Sequence, residues 1–147
     1  MPKFVEDRVF PYSSKQMYDL VADVNEYPKF LPWCIGARVY NKKEVDFYAD
    51  LIIGFKVFRE RFTSHVKLDQ GKIEIDYIKG PLSYLHNLWE FKDLEEGGSA
   101  LHFEVDFEFK NKLFQKLIGG LFTDAVHRMV ASFEQRAIDL YGKDLKG

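Results

Sequence analysis

The stretch that decides the fold is KLFQKLIGGLFTDAVHRMVASFEQRAIDLY, Lys112–Tyr141. Phe114, Leu117, Ile118, Leu121, Phe122, Ala125, Val126, Met129, Val130, Phe133, Ala137, Ile138 and Tyr141 recur at steps of three and four. That spacing gathers them on one broad face of a helix and leaves Lys116, Asp124, Arg128, Gln135 and Asp139 to the other. A helix of this length runs about 45 Å, and its apolar stripe is wider than one neighbouring helix covers. Upstream the chain offers short-strand patterns, so the predicted cover is a curved antiparallel sheet. Gly119-Gly120 interrupts good helix-forming sequence and predicts a kink or a later start.

Immediately before the helix, Leu101, Phe103, Val105, Phe107 and Phe109 alternate strictly with His102, Glu104, Asp106, Glu108 and Lys110. This is the pattern of a half-buried strand. Glu96-Gly97-Gly98 reads as the preceding hairpin turn, and Leu88–Leu94 as another strand. Lys79-Gly80-Pro81 breaks the sheet ahead of an apolar loop of Leu82, Tyr84 and Leu85. Gln70-Gly71 turns the chain into Ile73, Ile75 and Tyr77. In Val57–Leu68, Phe58, Phe62, Val66 and Leu68 face inward and Arg59, Arg61, Thr63, His65 and Lys67 outward. Gly54 is a turn signal, and Val45, Phe47, Ala49, Leu51 and Ile53 share the inner face of the strand before it.

At the other end, Lys3–Phe10 alternates as a first strand. Ser13 with Gln16 is a capping-box pattern opening a helix through Met17, Tyr18, Leu20, Val21 and Val24. Asn25 reads as a second cap, before a short helical turn of Tyr27, Pro28, Phe30 and Leu31 that Pro32 stops. The predicted order is strand, two short helices, six meander strands and one long helix. The fold class is α+β, in a single domain over 1–147.

Composition narrows the function. The 147 residues carry 21 Lys+Arg and 23 Asp+Glu, a net charge of -2, so no overall basic field exists to hold DNA. The lone cysteine, Cys34, excludes an internal disulfide. The first residues lack a signal or transit pattern and no apolar run is long enough to span a bilayer, which predicts a cytoplasmic protein. His65, His86, His102 and His127 show no ligand spacing, and no nucleophile motif or phosphate loop is present, so no metal and no catalytic residue is assigned.

Alternation leaves polar groups on apolar faces. Glu60 and Ser64 fall in register with Phe58 and Phe62, Asn87 with Trp89 and Phe91, and Tyr77 with Ile73 and Ile75. A buried carboxylate requires a partner, a raised pKa or a hydrated cavity; otherwise Glu60 turns outward. A few polar hooks in an apolar lining are the usual makeup of a small-molecule site. The loops at Gly54-Phe55 and Pro81–Leu85 present large apolar residues, suited either to the core or to a lid or membrane contact.

The octapeptide Tyr27-Pro28-Lys29-Phe30-Leu31-Pro32-Trp33-Cys34 resembles the YPxFLPWC signature of the coenzyme Q-binding proteins and bacterial ribosome-association toxins. Glu60–Ser64, Leu88–Phe91 and Phe133–Ala137 carry the likeness across the chain. These proteins belong to the START and birch-pollen-allergen superfamily, whose helix-grip fold matches the element order read above. The resemblance implies a non-catalytic carrier with an apolar tunnel between sheet and helix, binding ubiquinone or another polyprenyl quinone in support of respiration. Tyr27, Pro28, Phe30, Leu31, Pro32 and Trp33 would shape one end of that tunnel, and Trp89 and Phe91 its wall. Phe47, Leu51, Glu60, Phe62, Tyr77, Asn87, Val105, Phe107, Leu117, Leu121, Phe122 and Met129 complete the expected lining. In this chain Gly80-Pro81-Leu82 stands where relatives often carry Gly-Pro-Phe, a change bearing on ligand preference at a mouth.

No cofactor is required under this reading; the quinone is the ligand. A domain of this length is roughly 38 Å across, shorter than an extended ten-isoprene tail of about 50 Å, so part of the tail must bend, protrude or be covered. Transient contact with a membrane surface is therefore expected, at the inner membrane of a bacterium or, with a leader removed, on the mitochondrial matrix side. Two other readings stay open: a regulator associated with the large ribosomal subunit, and an enzyme similar to the cyclase and aromatase branch. The enzyme needs a positioned acid or base, for which Glu60 and Tyr77 are the candidates.

Overall fold

The computed structural model describes residues 3–55 and 58–142. The expectations for Val57 and for the side chains of Phe55, Phe58, Phe114 and Ile118 lie outside the described residues. Strand β1 (Lys3–Phe10) leads into α1 (Ser14–Ala22) and a 3₁₀ helix (Val24–Lys29). Strands β2 (Cys34–Tyr40), β3 (Asp46–Phe55), β4 (Phe58–Asp69), β5 (Lys72–Lys79), β6 (Leu82–Asp93) and β7 (Ser99–Phe109) follow, then α2 (Lys112–Tyr141). All seven strands form one antiparallel sheet in the order β1-β7-β6-β5-β4-β3-β2. Register shifts at Cys34/Gly36, Thr63/Ser64 and Leu82/Tyr84 are the irregularities that bend a sheet. This sheet curves around α2.

Alternation does most of the work of placing the core. In β7 the odd residues Leu101, Phe103, Val105, Phe107 and Phe109 are buried while the even ones are half-exposed. From α2, Phe122, Val126, Val130, Phe133 and Ala137 enter the same core. Phe122 sits among aromatic rings, 4.8 Å from Phe107, 5.3 Å from Phe109 and 5.8 Å from Phe62. Such packing adds directional contacts to the area buried.

The capping box is formed: Gln16 N–H donates to Ser13 Oγ, and Ser13 N–H to Gln16 Oε1. Other expectations need correction. Helix α1 ends at Ala22, and Val24 belongs to the 3₁₀ helix, whose cap is Asp23 rather than Asn25. Gly119-Gly120 does not delay α2, which starts at Lys112; helical hydrogen bonding along the chain tolerates glycine at a modest cost. Gly54 lies within β3, paired to Arg59. The predicted apolar loop of Leu82, Tyr84 and Leu85 is instead the start of β6, with Leu82 paired to Phe109 and buried. Thr63 points outward as expected yet is buried, because Asp50 covers it and accepts its hydroxyl at 2.8 Å. Among the described residues no helix is long and apolar enough to cross a membrane.

Candidate functional site

Between the concave face of the sheet and the middle of α2 lies a cavity of about 110 Å³. Its floor comes from inward residues of four adjacent strands: Leu51 and Ile53, Phe62 and Ser64, Ile75 and Tyr77, and Leu85, Asn87 and Trp89. Phe122, Ala125, Val126 and Met129 of α2 roof it, and Tyr27 and Trp33 close one side. An engineered apolar cavity of ~150 Å³ takes benzene, so the space as it stands is smaller than one known to accept a small ring.

Few polar atoms face this space, and their partners decide what they can do. Asn87 is buried with one donor and its oxygen engaged: its Nδ2 donates to the Glu104 carbonyl at 2.8 Å, and its Oδ1 accepts Trp89 Nε1–H at 2.8 Å. It therefore orients the indole. Tyr27 donates its hydroxyl to the Val21 carbonyl at 2.5 Å, and burial pushes its pKa far above the ordinary phenol value.

Tyr77 is different. Its oxygen accepts Leu82 N–H at 2.9 Å, while its own O–H has no acceptor among the described residues. Burial raises its pKa most; the Leu82 hydrogen bond lowers it, and the charge of Glu60 raises it further. Ser64 lies directly opposite Tyr77 in the β4–β5 register and also lines the cavity. The Ser64 hydroxyl has no hydrogen-bond partner among the described residues. The two residues therefore put two hydroxyls with open donors into the lining of an otherwise apolar space.

Gly80 makes that arrangement fit. It has φ +146, and a Cβ there would come within 2.8 Å of both Tyr77 Oη and the Arg61 carbonyl.

Of the residues expected from sequence, Tyr27, Trp33, Leu51, Phe62, Tyr77, Asn87, Trp89, Phe122 and Met129 line the cavity. Ile53, Ile75, Leu85, Ala125 and Val126 also line it and were not singled out; their inward register was the available signal. Phe47, Val105, Phe107 and Phe91 are buried in the surrounding core. Glu60, expected in the pocket, is exposed near the start of β4, where the inner face runs out to solvent. Leu117 and Leu121 are exposed as well. They sit about 140° and 100° around the helix from Phe122, so the core face of α2 excludes them.

The octapeptide also divides. Pro32 is exposed and Leu31 is buried in the core. Phe30 packs edge-on against Phe133 at 5.1 Å, and the Arg136 guanidinium lies over its ring at 5.1 Å. This part of the octapeptide clamps the second half of α2. Cys34 is buried, and burial pushes its thiol from the usual 9 up to about 11.

On the outer face of the sheet, Glu74, Asp76 and His86 bring ligand-type atoms within 4.8 Å of one another. The separate histidines of the sequence concealed this cluster. Lys67 Nζ already lies 2.6 Å from Asp76, and the cluster faces away from the cavity.

A curved sheet gripping one long helix over an apolar cavity defines the helix-grip class of ligand-binding domains. Residues 10–134 match the polyketide cyclase / dehydrase and lipid transport family, and the chain belongs to it. This is the superfamily to which the octapeptide pointed. The chain is 37% identical over 135 residues to the ribosome association toxin RatA of Pseudomonas aeruginosa, covering 91% of this chain and 94% of the toxin. It is 34% identical over 146 residues to the mitochondrial coenzyme Q-binding protein COQ10 homolog B of Xenopus laevis, covering 96% of this chain and 60% of that one. The Zhui aromatase/cyclase from Streptomyces sp. R1128 superposes with a TM-score of 0.81 over 97% of this chain and 99% of that one. At 12% identity, that likeness is one of fold alone.

Proposed function

We propose that this chain is a non-catalytic carrier for a hydrophobic ligand with an oxygen-bearing head, a polyprenyl quinone such as ubiquinone. The observation that carries the reading is a pair of hydroxyls with open donors, Ser64 and Tyr77, in the lining of an otherwise apolar cavity. A quinone carbonyl accepts hydrogen bonds and donates none, which suits such donors. The likeness to a coenzyme Q-binding protein supports the same head group.

Carriage rather than conversion is supported by the lining. Among the described residues it contains no carboxylate, imidazole, amine or thiol, and its two phenols, Tyr27 and Tyr77, have pKa values raised by burial, which keeps them protonated and poor bases at neutral pH. Glu60, the one carboxylate considered, is exposed. The cavity as it stands is smaller than the ~150 Å³ that takes benzene, so a substituted quinone ring enters only as α2 shifts, and the tail displaces more of α2 or runs out into lipid at a membrane surface. Each methylene that does become buried contributes about 0.8 kcal/mol, so even one or two prenyl units give useful affinity.

A second reading, association with the large ribosomal subunit, draws on the likeness to RatA. The net charge of -2 supplies no general attraction to RNA.

Mass spectrometry of an organic extract, from protein purified gently out of its native host, tests the carrier. A stoichiometric polyprenyl quinone is the expected result. An empty extract, with no binding when quinone is added back, overturns the reading and brings ribosome association forward.

A further inference from the structure

The first turns of α2 carry an apolar stripe on the wrong side of the helix. Leu113, Leu117 and Leu121 are 65%, 70% and 40% exposed. Leu113 lies about 180° around the helix from the core residue Phe122, so no rotation of a rigid helix buries both against the sheet. Lys110, Lys112 and Lys116 flank the stripe, are exposed, and make no ion pair among the described residues. Asp124, the next acid along the helix, is paired with Arg128 at 3.1 Å.

The neighbouring turn also carries an exposed apolar side chain, on the outer face of the sheet. Lys110 N–H donates to the Pro81 carbonyl at 3.1 Å, which holds the start of α2 beside the β5–β6 turn. There Ile78 is 51% exposed, and Lys79 is exposed without an ion pair among the described residues. Glu60 is the exposed acid at this end, on the inner face near Tyr77.

We infer that this lysine-flanked leucine stripe of α2 seats the protein on an anionic lipid surface. Leucines flanked by unpaired lysines are the composition of a helix lying in a membrane interface, its apolar side a few ångströms into the acyl boundary. The lysines face anionic head groups, each strengthening attachment by roughly fivefold. A second copy of the chain fits less well, since a two-fold contact on this stripe sets like charges against each other. RNA would pair with the lysines and leave three leucines with nothing to bury them. The stripe and the site share one helical segment: Phe122, which roofs the cavity, lies on its opposite side. The purpose of the seat rests on the carrier reading; the seat itself is tested separately.

The test is flotation of the full-length protein with vesicles of phosphatidylcholine alone and of three parts phosphatidylcholine to one part phosphatidylglycerol. The wild type is expected to float with the anionic vesicles and much less with the neutral ones. Lys112→Glu with Lys116→Glu should lower anionic binding by at least twentyfold. Leu113→Ser with Leu117→Ser should lower it tenfold or more without altering thermal stability, because both side chains are exposed. No flotation with either composition, or variants that float like the wild type, overturns the inference. So does co-sedimentation with large ribosomal subunits that the lysine variant loses and the leucine variant keeps. Flotation of protein whose extract contains no quinone supports the seat and counts only against the carrier reading.

Discussion

The hydroxyl oxygen of Tyr77 accepts the backbone N–H of Leu82 across the Gly80-Pro81 turn, at 2.9 Å. The turn is thus anchored to a cavity side chain, and the phenol arrives with its acceptor role filled and its donor role open. Ser64, its cross-strand partner, adds the second open donor.

Tyr77→Phe keeps the ring and removes the hydroxyl. It should cost about 1 kcal/mol of stability through the orphaned Leu82 N–H, and roughly tenfold in affinity for a short-chain quinone. Affinity for a prenyl hydrocarbon without oxygens should stay unchanged. Fluorescence titration with both probes distinguishes the cases, and equal losses for the two would remove the hydroxyl from ligand recognition.

Gly80→Ala places a methyl within 2.8 Å of Tyr77 Oη and the Arg61 carbonyl, at a φ of +146. Such strain should destabilise the fold by about 1–3 kcal/mol and weaken quinone binding as Tyr77 shifts. Denaturant unfolding measures the first effect. A stability equal to wild type would mean that the turn relaxes freely.

Phe122→Ala empties the space enclosed by Phe62, Phe107 and Phe109. The expected cost is about 3–5 kcal/mol, seen as a lower denaturation midpoint. A loss below 1 kcal/mol would place the anchoring of α2 in its second half, where Phe133 and Arg136 clasp Phe30.

His102 sits between Asp7 at 2.8 Å and Glu104 at 2.7 Å, and the Glu104 and Asp7 hydrogen bonds raise its pKa above 6.5. Glu104 is lowered from 4.5, chiefly by the same His102 bond. The imidazolium's stabilisation is complete below about 6.5 and declines as pH rises through the elevated folded value. That of the carboxylate is complete above about 4.5 and declines as pH falls through the depressed one. The excess stability of wild type over His102→Gln should therefore be largest between about pH 4.5 and 6.5 and shrink as pH rises through the elevated folded value of His102. Thermal melts across that range check it, and a pH-independent difference would refute the ion pair.

Cys34 is buried with its thiol pushed up to about 11. Since the thiolate is the reactive form, a maleimide at neutral pH should modify native protein no faster than the protein opens. Adding denaturant should restore ordinary thiol rates. Rapid native labelling would show that the end of the octapeptide opens easily.

Much of this molecule was legible in order along the chain. The capping box at Ser13, the strict alternation in β7 and the three-four spacing in α2 depend on neighbours a few residues away, so local sequence determined them. The octapeptide and its companions located the family, and nine of the expected lining residues do meet at one cavity. Tertiary structure decided the rest. Spacing marked Leu117 and Leu121 as apolar helix positions, but the rotation of α2 set by Phe122 against β7 left them facing solvent. Alternation put Asn87 inward, yet its role came from a carbonyl on the next strand and an indole two residues along. Ser64 and Tyr77 became one site only through the β4–β5 register. Periodicity specifies which face of an element a residue occupies; what that face meets is determined by contacts distant in sequence, which form only when the sheet closes on the helix.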